Sequence, residues 1–251
     1  MRRAAFAGFA ILATVALAGV VVSLLPVGGN PCPGLLVPAY FGDAGSWAAA
    51  GASGAPPRLL IANPASGPGG VRDPLLAGWV AAARRRGARV LGYVPTGYGA
   101  RPLTEIRADL HRYRAWYRLD GTFVDEAASA PGMLGYYRAI RRAAEPGMVV
   151  LNPGAVPAPG YLDAADVVVD FEGPWSAYRS ARFPAWARRT GGRLAHLVYA
   201  TPPADVGPAV RLARRRGVRW VYMTDGALPN RWGIAPAYLG SELAAVRSAC
   251  R

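Results

Sequence analysis

Two short segments carry carboxylates at spacings that can do chemistry. In Gly121-Thr-Phe-Val-Asp125-Glu126, adjacent acids close an apolar run. At the end of a buried strand, desolvation and mutual repulsion raise the pKa of one such carboxyl. In Asp166-Val-Val-Val-Asp170-Phe-Glu172-Gly-Pro-Trp175, a side-chain period of two sets Asp170 and Glu172 on one face if the chain stays extended through Phe171. Two carboxyls across a sugar-sized gap are the equipment of glycoside cleavage. One protonates the leaving oxygen while the other attacks the anomeric carbon or activates water. Each motif taken alone also fits helix capping after a strand.

Other chemistries find little support. All 29 basic residues are arginine, so a Schiff-base or phosphate-loop lysine is excluded. The glycine-rich segments Asn63–Gly69 and Gly92–Gly99 lack the phosphate-loop pattern, and no strand is followed by a Gly-x-Gly-x-x-Gly turn. His111 lies in a helical pattern and His196 near the start of a strand. Neither has a metal partner at ligand spacing, so both read as structural or surface residues, with no metal and no cofactor expected.

The elements that must position the acids are legible as short apolar runs ending in polar residues. They are Leu35–Tyr40, Arg58–Asn63, Arg89–Pro95, Gly121–Glu126, Met148–Asn152, Asp166–Phe171, Leu194–Tyr199 and Arg219–Thr224. Such runs read as strands buried on both faces. Helical stripes lie between most of them: Leu76, Trp79, Val80 and Ala83 behind an Asp73-Pro74 start; Ile106, Leu110, Tyr113 and Tyr117; Val206, Val210 and Ala213. The repeated Arg84-Arg85-Arg86-Gly87 and Arg214-Arg215-Arg216-Gly217 are helix ends, with cations in the last turn and a glycine cap. Eight strands alternating with helices predict an α/β fold, a (β/α)8 TIM-type barrel, with a doubly wound open sheet as the rival. The carboxyl ends of barrel strands form the active-site mouth. Here they read Tyr40, Asn63, Thr96, Asp125 and Glu126, Asn152, Asp170 and Glu172, Tyr199, and Thr224 with Asp225. Of the nearby aromatics, Tyr40, Tyr98, Trp175, Tyr199 and Trp232 are of the kind that stack on sugars, and each also fits core packing.

Before the barrel, Arg2 and Arg3 precede an uncharged stretch from Ala4 to Val27. It is long enough to span a bilayer, which makes residues 1–31 a signal anchor or a cleaved signal with a short linker. Residues 32–251 are then a single catalytic barrel facing outward. No lipid-attachment box precedes Cys32. Outside the cytoplasm, Cys32 and Cys250 fit a disulfide joining the two ends of the domain, with two free thiols as the alternative.

Several segments in order carry a family resemblance: Val37-Pro38-Ala39-Tyr40; Asn63-Pro64 with Gly67-Pro68-Gly69; Gly92-Tyr93-Val94 with Thr96 and Tyr98-Gly99; Phe123-Val124-Asp125-Glu126; and Thr224-Asp225 with Pro229-Asn230. From about Leu35 to Leu243 the chain resembles the spherulation-specific family 4 proteins, the spherulin-like group classed as glycoside hydrolase family 135. The resemblance implies a (β/α)8 barrel that cleaves α-1,4-linked N-acetylgalactosamine within a galactosaminogalactan-type exopolysaccharide. It implies Asp125 as nucleophile, Glu172 as acid/base and Glu126 as a supporting carboxylate. Substrate contacts are expected from Tyr40, Asn63, Thr96, Tyr98, Asn152, Asp170, Trp175, Tyr199, Asp225 and Asn230. Pro95 before Thr96 departs from the pattern and sets the local loop apart.

The formal charge of +14 points to an anionic neighbour such as nucleic acid, lipid headgroups or an acidic polymer. Export and the absence of a binding motif argue against nucleic acid. Barrel helices end opposite the mouth, so arginines 84–86, 141–142, 188–189 and 214–216 should gather on the face where the anchor attaches, turned toward a membrane, with ordinary solvated helix ends as the equal alternative. The expected partners are a polysaccharide at the mouth, partly deacetylated by preference, and a membrane through the N-terminal segment, with the barrel a monomer. The alternative function is a catalytically silent carbohydrate-binding barrel of the cell envelope.

Overall fold

The computed structural model describes residues 32–52 and 56–250. Eight parallel strands close into a barrel in sequence order. They are β1 (Gly34–Ala39), β2 (Arg58–Ala62), β3 (Arg89–Pro95), β4 (Gly121–Asp125), β5 (Met148–Leu151), β6 (Val167–Pro174), β7 (Leu194–Tyr199) and β8 (Trp220–Met223). The open doubly wound sheet is thereby excluded. Around the barrel stand α1 (Ala44–Ala50), α2 (Pro74–Arg85), α3 (Leu103–Tyr117), α4 (Leu134–Ala144), α5 (Trp175–Ser180), α6 (Val206–Arg215) and α7 (Leu239–Ser248). Between β5 and β6 the alternation is reduced to a 3-10 turn, Pro159–Ala164.

Each strand forms because its apolar run is buried on both faces, inward on the barrel filling and outward on the helices; every residue of β1, β2 and β8 is buried. The helices follow their sequence stripes. In α2, Pro74 sits at the first turn, the Asp73 carboxylate accepts from the Leu75 and Leu76 N–H groups, and Leu76, Val80 and Ala83 are buried. Trp79 is half-buried and stacks on Trp47 of α1, with ring centres 6.3 Å apart. Gly87 and Gly217 end α2 and α6 at φ +86° and +80°, the left-handed conformation that a helix stop requires.

Two devices close the ring. The ladder of β1 with β8 pairs only Gly34 with Trp220 and Leu35 with Val221. Farther along, the Met223 N–H donates 2.8 Å to the Glu242 carboxyl of α7. Burial holds that carboxyl well above the usual carboxylate range. The second device is a disulfide between Cys32 and Cys250, with Cα atoms 4.8 Å apart across 218 residues of sequence. It ties the start of β1 to the end of α7. The apolar stretch 4–27 lies outside the described residues. Among those described, no helix is long and apolar enough to cross a membrane.

Candidate active site

The strands deliver their last residues to one end of the barrel, as parallel order demands. There a hollow of about 320 Å³ is lined by Asp125, Glu126, Asn152 and Glu172, by Tyr98, Tyr199 and Arg231, and by Pro153 and Gly154. That volume stands near the lower end of ligand pockets, about 300–1,000 Å³, and suits a saccharide unit. Asp125 ends β4, Asn152 follows β5 and Glu172 lies within β6.

Asn152 is the hinge of the arrangement. Its side-chain nitrogen donates 2.7 Å to Asp125 Oδ1 and 2.7 Å to Glu172 Oε2. The two accepting oxygens are therefore no farther apart than twice that bond length. Retaining glycosidases hold their carboxyls about 5–5.5 Å apart, whereas inverting ones leave about 6.5–9.5 Å for a water. Asn152 is itself buried, and its Oδ1 accepts from the Gly154 N–H at 3.0 Å. With its oxygen committed to Gly154, the amide must point its nitrogen at the acids.

The two acids stand in different electrostatic settings. Burial pushes Asp125 up to about 6, the Glu172 charge adds to the shift, and donors from Tyr93 and Asn152 oppose it. Burial and the Asp125 charge in turn raise Tyr93, so its phenol stays protonated and available as a donor. Glu172 forms an ion pair with Arg231, whose guanidinium rests 5.0 Å from the Tyr199 ring centre and 5.4 Å from that of Trp232. Arg231, like Tyr93, is a residue the sequence does not single out as part of the site. It sits in the loop after β8, beyond the strand ends, and its only sequence signal is its place between Asn230 and Trp232.

Glu126 does a different job. It stands at φ +49°, its carboxylate accepts from the Gly97 N–H at 3.1 Å, and its carbonyl accepts from the Tyr98 N–H at 2.7 Å. Tyr98, likewise left-handed at φ +56°, is thereby held at the rim with its side chain exposed. Such strain in non-glycine residues persists only where neighbours impose it. Thr96 completes this clasp. It is fully buried, and its hydroxyl donates to the carbonyls of Asp125 at 3.0 Å and Glu126 at 2.7 Å. Thr96 therefore shapes the loop and has no surface to offer a sugar, contrary to expectation.

Other expected contacts lie elsewhere. Asp170 is buried in the wall, where its Oδ1 lies 3.1 Å from His196 Nε2, and His196 Nδ1 lies 2.7 Å from the Tyr178 hydroxyl. The cause is a register shift in β6 between Val169 and Phe171. With an extra residue in the strand, Asp170 and Phe171 both meet His196 on the helix side while Glu172 faces the mouth. The shared face of Asp170 and Glu172 is thus broken. Trp175 is buried on Tyr178 and donates 2.9 Å to Asp205. Asn63 accepts from the Gly67 N–H at 3.0 Å and shares a separate hollow with Tyr40 and Asp73. Tyr40 still touches the site indirectly, edge-on to Tyr93 with ring centres 5.6 Å apart. Asp225 and Asn230 are exposed and do not line the acidic hollow. Among the described residues, no cluster of histidines, cysteines and acids could hold a metal.

Comparison with known proteins agrees with this architecture. The sequence profile of the spherulation-specific family 4 proteins, Spherulin4, matches residues 34–246. Spherulin-4 of Physarum polycephalum is 28% identical over 233 residues, covering 85% of this chain and 70% of that protein. The crystal structure of Aspergillus clavatus Sph3 in complex with GalNAc superposes with a TM-score of 0.76 at 22% identity, covering 86% of this chain and 98% of that one, a likeness of fold. With the profile spanning the whole barrel, the chain belongs to spherulation-specific family 4.

Proposed function

We propose that the chain is an exported, retaining endo-glycosidase that hydrolyses α-1,4-linked N-acetylgalactosamine within an exopolysaccharide. The observation that carries this reading is the single Asn152 nitrogen bridging Asp125 and Glu172. It fixes two carboxyls at the short spacing of double displacement, in a sugar-sized hollow at the mouth of a barrel. Family membership and the GalNAc bound to the fold-related Sph3 support the choice of sugar. Arg2, Arg3 and the stretch 4–27 support export, with the barrel a monomer that is either tethered or released.

In the first step, the Asp125 carboxylate attacks the anomeric carbon while Glu172 gives its proton to the departing glycosidic oxygen. A glycosyl ester on Asp125 results. Glu172, now a carboxylate, takes a proton from water. The hydroxide equivalent displaces Asp125 from the anomeric carbon and restores both acids. Two inversions leave the anomeric configuration unchanged. Tyr98 and Tyr199 present rings at the rim for sugar stacking. Glu126 holds the Tyr98 loop and transfers no proton.

One observation favours exchanging the two roles. Arg231 compensates the charge of Glu172, whereas Asp125 keeps its proton up to about 6. In that version Asp125 is the acid and Glu172 the nucleophile, with the reaction otherwise the same.

The test is Glu172→Gln. Cleavage of the N-acetylgalactosamine polymer should fall by about 10²–10⁴-fold, with co-sedimentation on the insoluble polymer retained. Unaltered cleavage would overturn the reading. A wild-type chain that binds polymer without cutting it is the silent binding barrel instead.

A further inference from the structure

Against α6 and α7 lies a large hollow, which runs from the first turn of α6 to its last turn and the end of α7, at the end of the barrel opposite the acids. It measures about 850 Å³ and is lined by Arg211, Arg214 and Arg215 with the small residues Gly207, Ala245 and Ser248. Among the described residues, no carboxylate lines it. All three arginines are exposed, and none takes part in an ion pair or side-chain hydrogen bond among the described residues. They differ from Arg84 and Arg141, which pair with Asp120 and Asp166, and from Arg216, which donates to the carbonyls of Tyr178 and Ala181. Arg211 and Arg215 stand four residues apart on one helix, a like-charge spacing that costs stability unless an anion answers it. Arg215 also borders a second hollow, about 700 Å³, with Arg182 and Arg188 and again no carboxylate.

The place of this surface in the chain matters as much as its charge. Ser248 and Ala249 line the first hollow, and the next residue, Cys250, is bonded to Cys32. The uncharged stretch ends at Val27, five residues before Cys32. Five residues reach at most about 18 Å even when fully extended. A bilayer holding residues 4–27 therefore brings its headgroups near the end of the hollow formed by Arg214, Arg215, Ser248 and Ala249.

We propose that this hollow is a binding site for the phosphate of an anionic phospholipid headgroup. Guanidinium forks pair with phosphate oxygens in two parallel hydrogen bonds, and the small residues of α6 and α7 leave room for the glycerol beside them. Docking there sets the barrel end-on to the bilayer, with the acidic mouth facing away toward polymer. The inference rests on the membrane reading of residues 4–27 and is independent of the hydrolytic one.

The experiment uses the full chain in nanodiscs of phosphatidylcholine, with and without phosphatidylglycerol, followed by hydrogen exchange. Amides at the ends of α6 and α7 should exchange more slowly in the anionic discs. Replacing Arg211, Arg214 and Arg215 with glutamine should abolish the difference, and an unchanged near-ultraviolet spectrum reports that the variant is folded. Replacing Arg84 and Arg85 should leave the difference in place. Equal exchange in both discs overturns the proposal, as does failure of the full chain to enter discs. Loss of the difference through Arg84 and Arg85 as readily would mean diffuse charge rather than a site. Equal protection by inorganic phosphate in neutral discs would mean a site for the free anion, not the lipid.

Discussion

At the scale of single residues, Asn152 decides the chemistry, because one amide nitrogen serves both acids. The proton the pair shares is readable from pH. Asp125 carries its proton up to about 6 because it is buried beside Glu172. Double displacement needs one proton on the pair, and Asp125 beside the charged Glu172 gives up its proton at about 6, so kcat/KM, which reports the free enzyme, should fall as pH rises through about 6. The same limb is expected whichever acid attacks, because both versions need one proton on the pair, and a profile flat through that range would contradict the shared-proton account. Much of this site was legible in the chain, but unevenly. Asp125, Glu126 and Glu172 were visible as acids closing apolar runs, and Asn152 as the polar end of the fifth strand. Its bridging role was not, because a local pattern says nothing about which partners two other strands bring to it. Arg231 and Tyr93 were passed over for a similar reason: one lies past a strand end and the other within a strand, so neither belongs to the ring of terminal polar residues.

At the scale of elements, the bulge in β6 turns a plausible pair of acids into one wall residue and one site residue. Period-two reasoning carries a phase from one end of a strand to the other, and an inserted residue resets that phase without altering composition. The aromatic cage of Phe171, Tyr178 and Phe183 around His196 gives the extra residue a buried partner. Asp170→Ala removes the acid facing His196 Nε2, and should cost about 1–3 kcal/mol of stability. Because Glu172 lies two residues along the same strand, activity should fall beyond the loss of folded protein. Urea melts and kcat per folded molecule check this; full stability and full activity would mean that Asp170 has no part in holding the bulge. The strands themselves read more easily. Eight apolar runs became eight strands within a few residues of their expected limits, the largest change being the extension of β6 to Pro174. Between β5 and β6 stands only a 3-10 turn, where prolines and glycines at 153–160 leave no room for a longer helix.

At the scale of the whole molecule, the barrel is polar from end to end, acids at the mouth and arginines at the helix ends. The arginines do not all serve one purpose. Arg58, the buried first residue of β2, donates 3.1 Å to the Arg86 carbonyl and caps α2, and Arg216 braces α5, whereas the arginines lining the α6 hollow pair with nothing among the described residues. The disulfide fastens the same end. Closing a loop of 218 residues is worth about 5 kcal/mol in the chain-entropy treatment. Replacing Cys32 and Cys250 together with serine should lower unfolding free energy by about 2–5 kcal/mol, while kcat stays unchanged because the bridge is remote from the mouth. An unaltered melting midpoint would contradict that role. The central claim, that two acids held by one asparagine carry out a double displacement, has a direct reporter in the stereochemistry of the product. Proton NMR of an N-acetylgalactosamine oligosaccharide during its first turnovers should show the new reducing end as the α-anomer, before mutarotation. First appearance of the β-anomer, or no cleavage at all, would contradict the account.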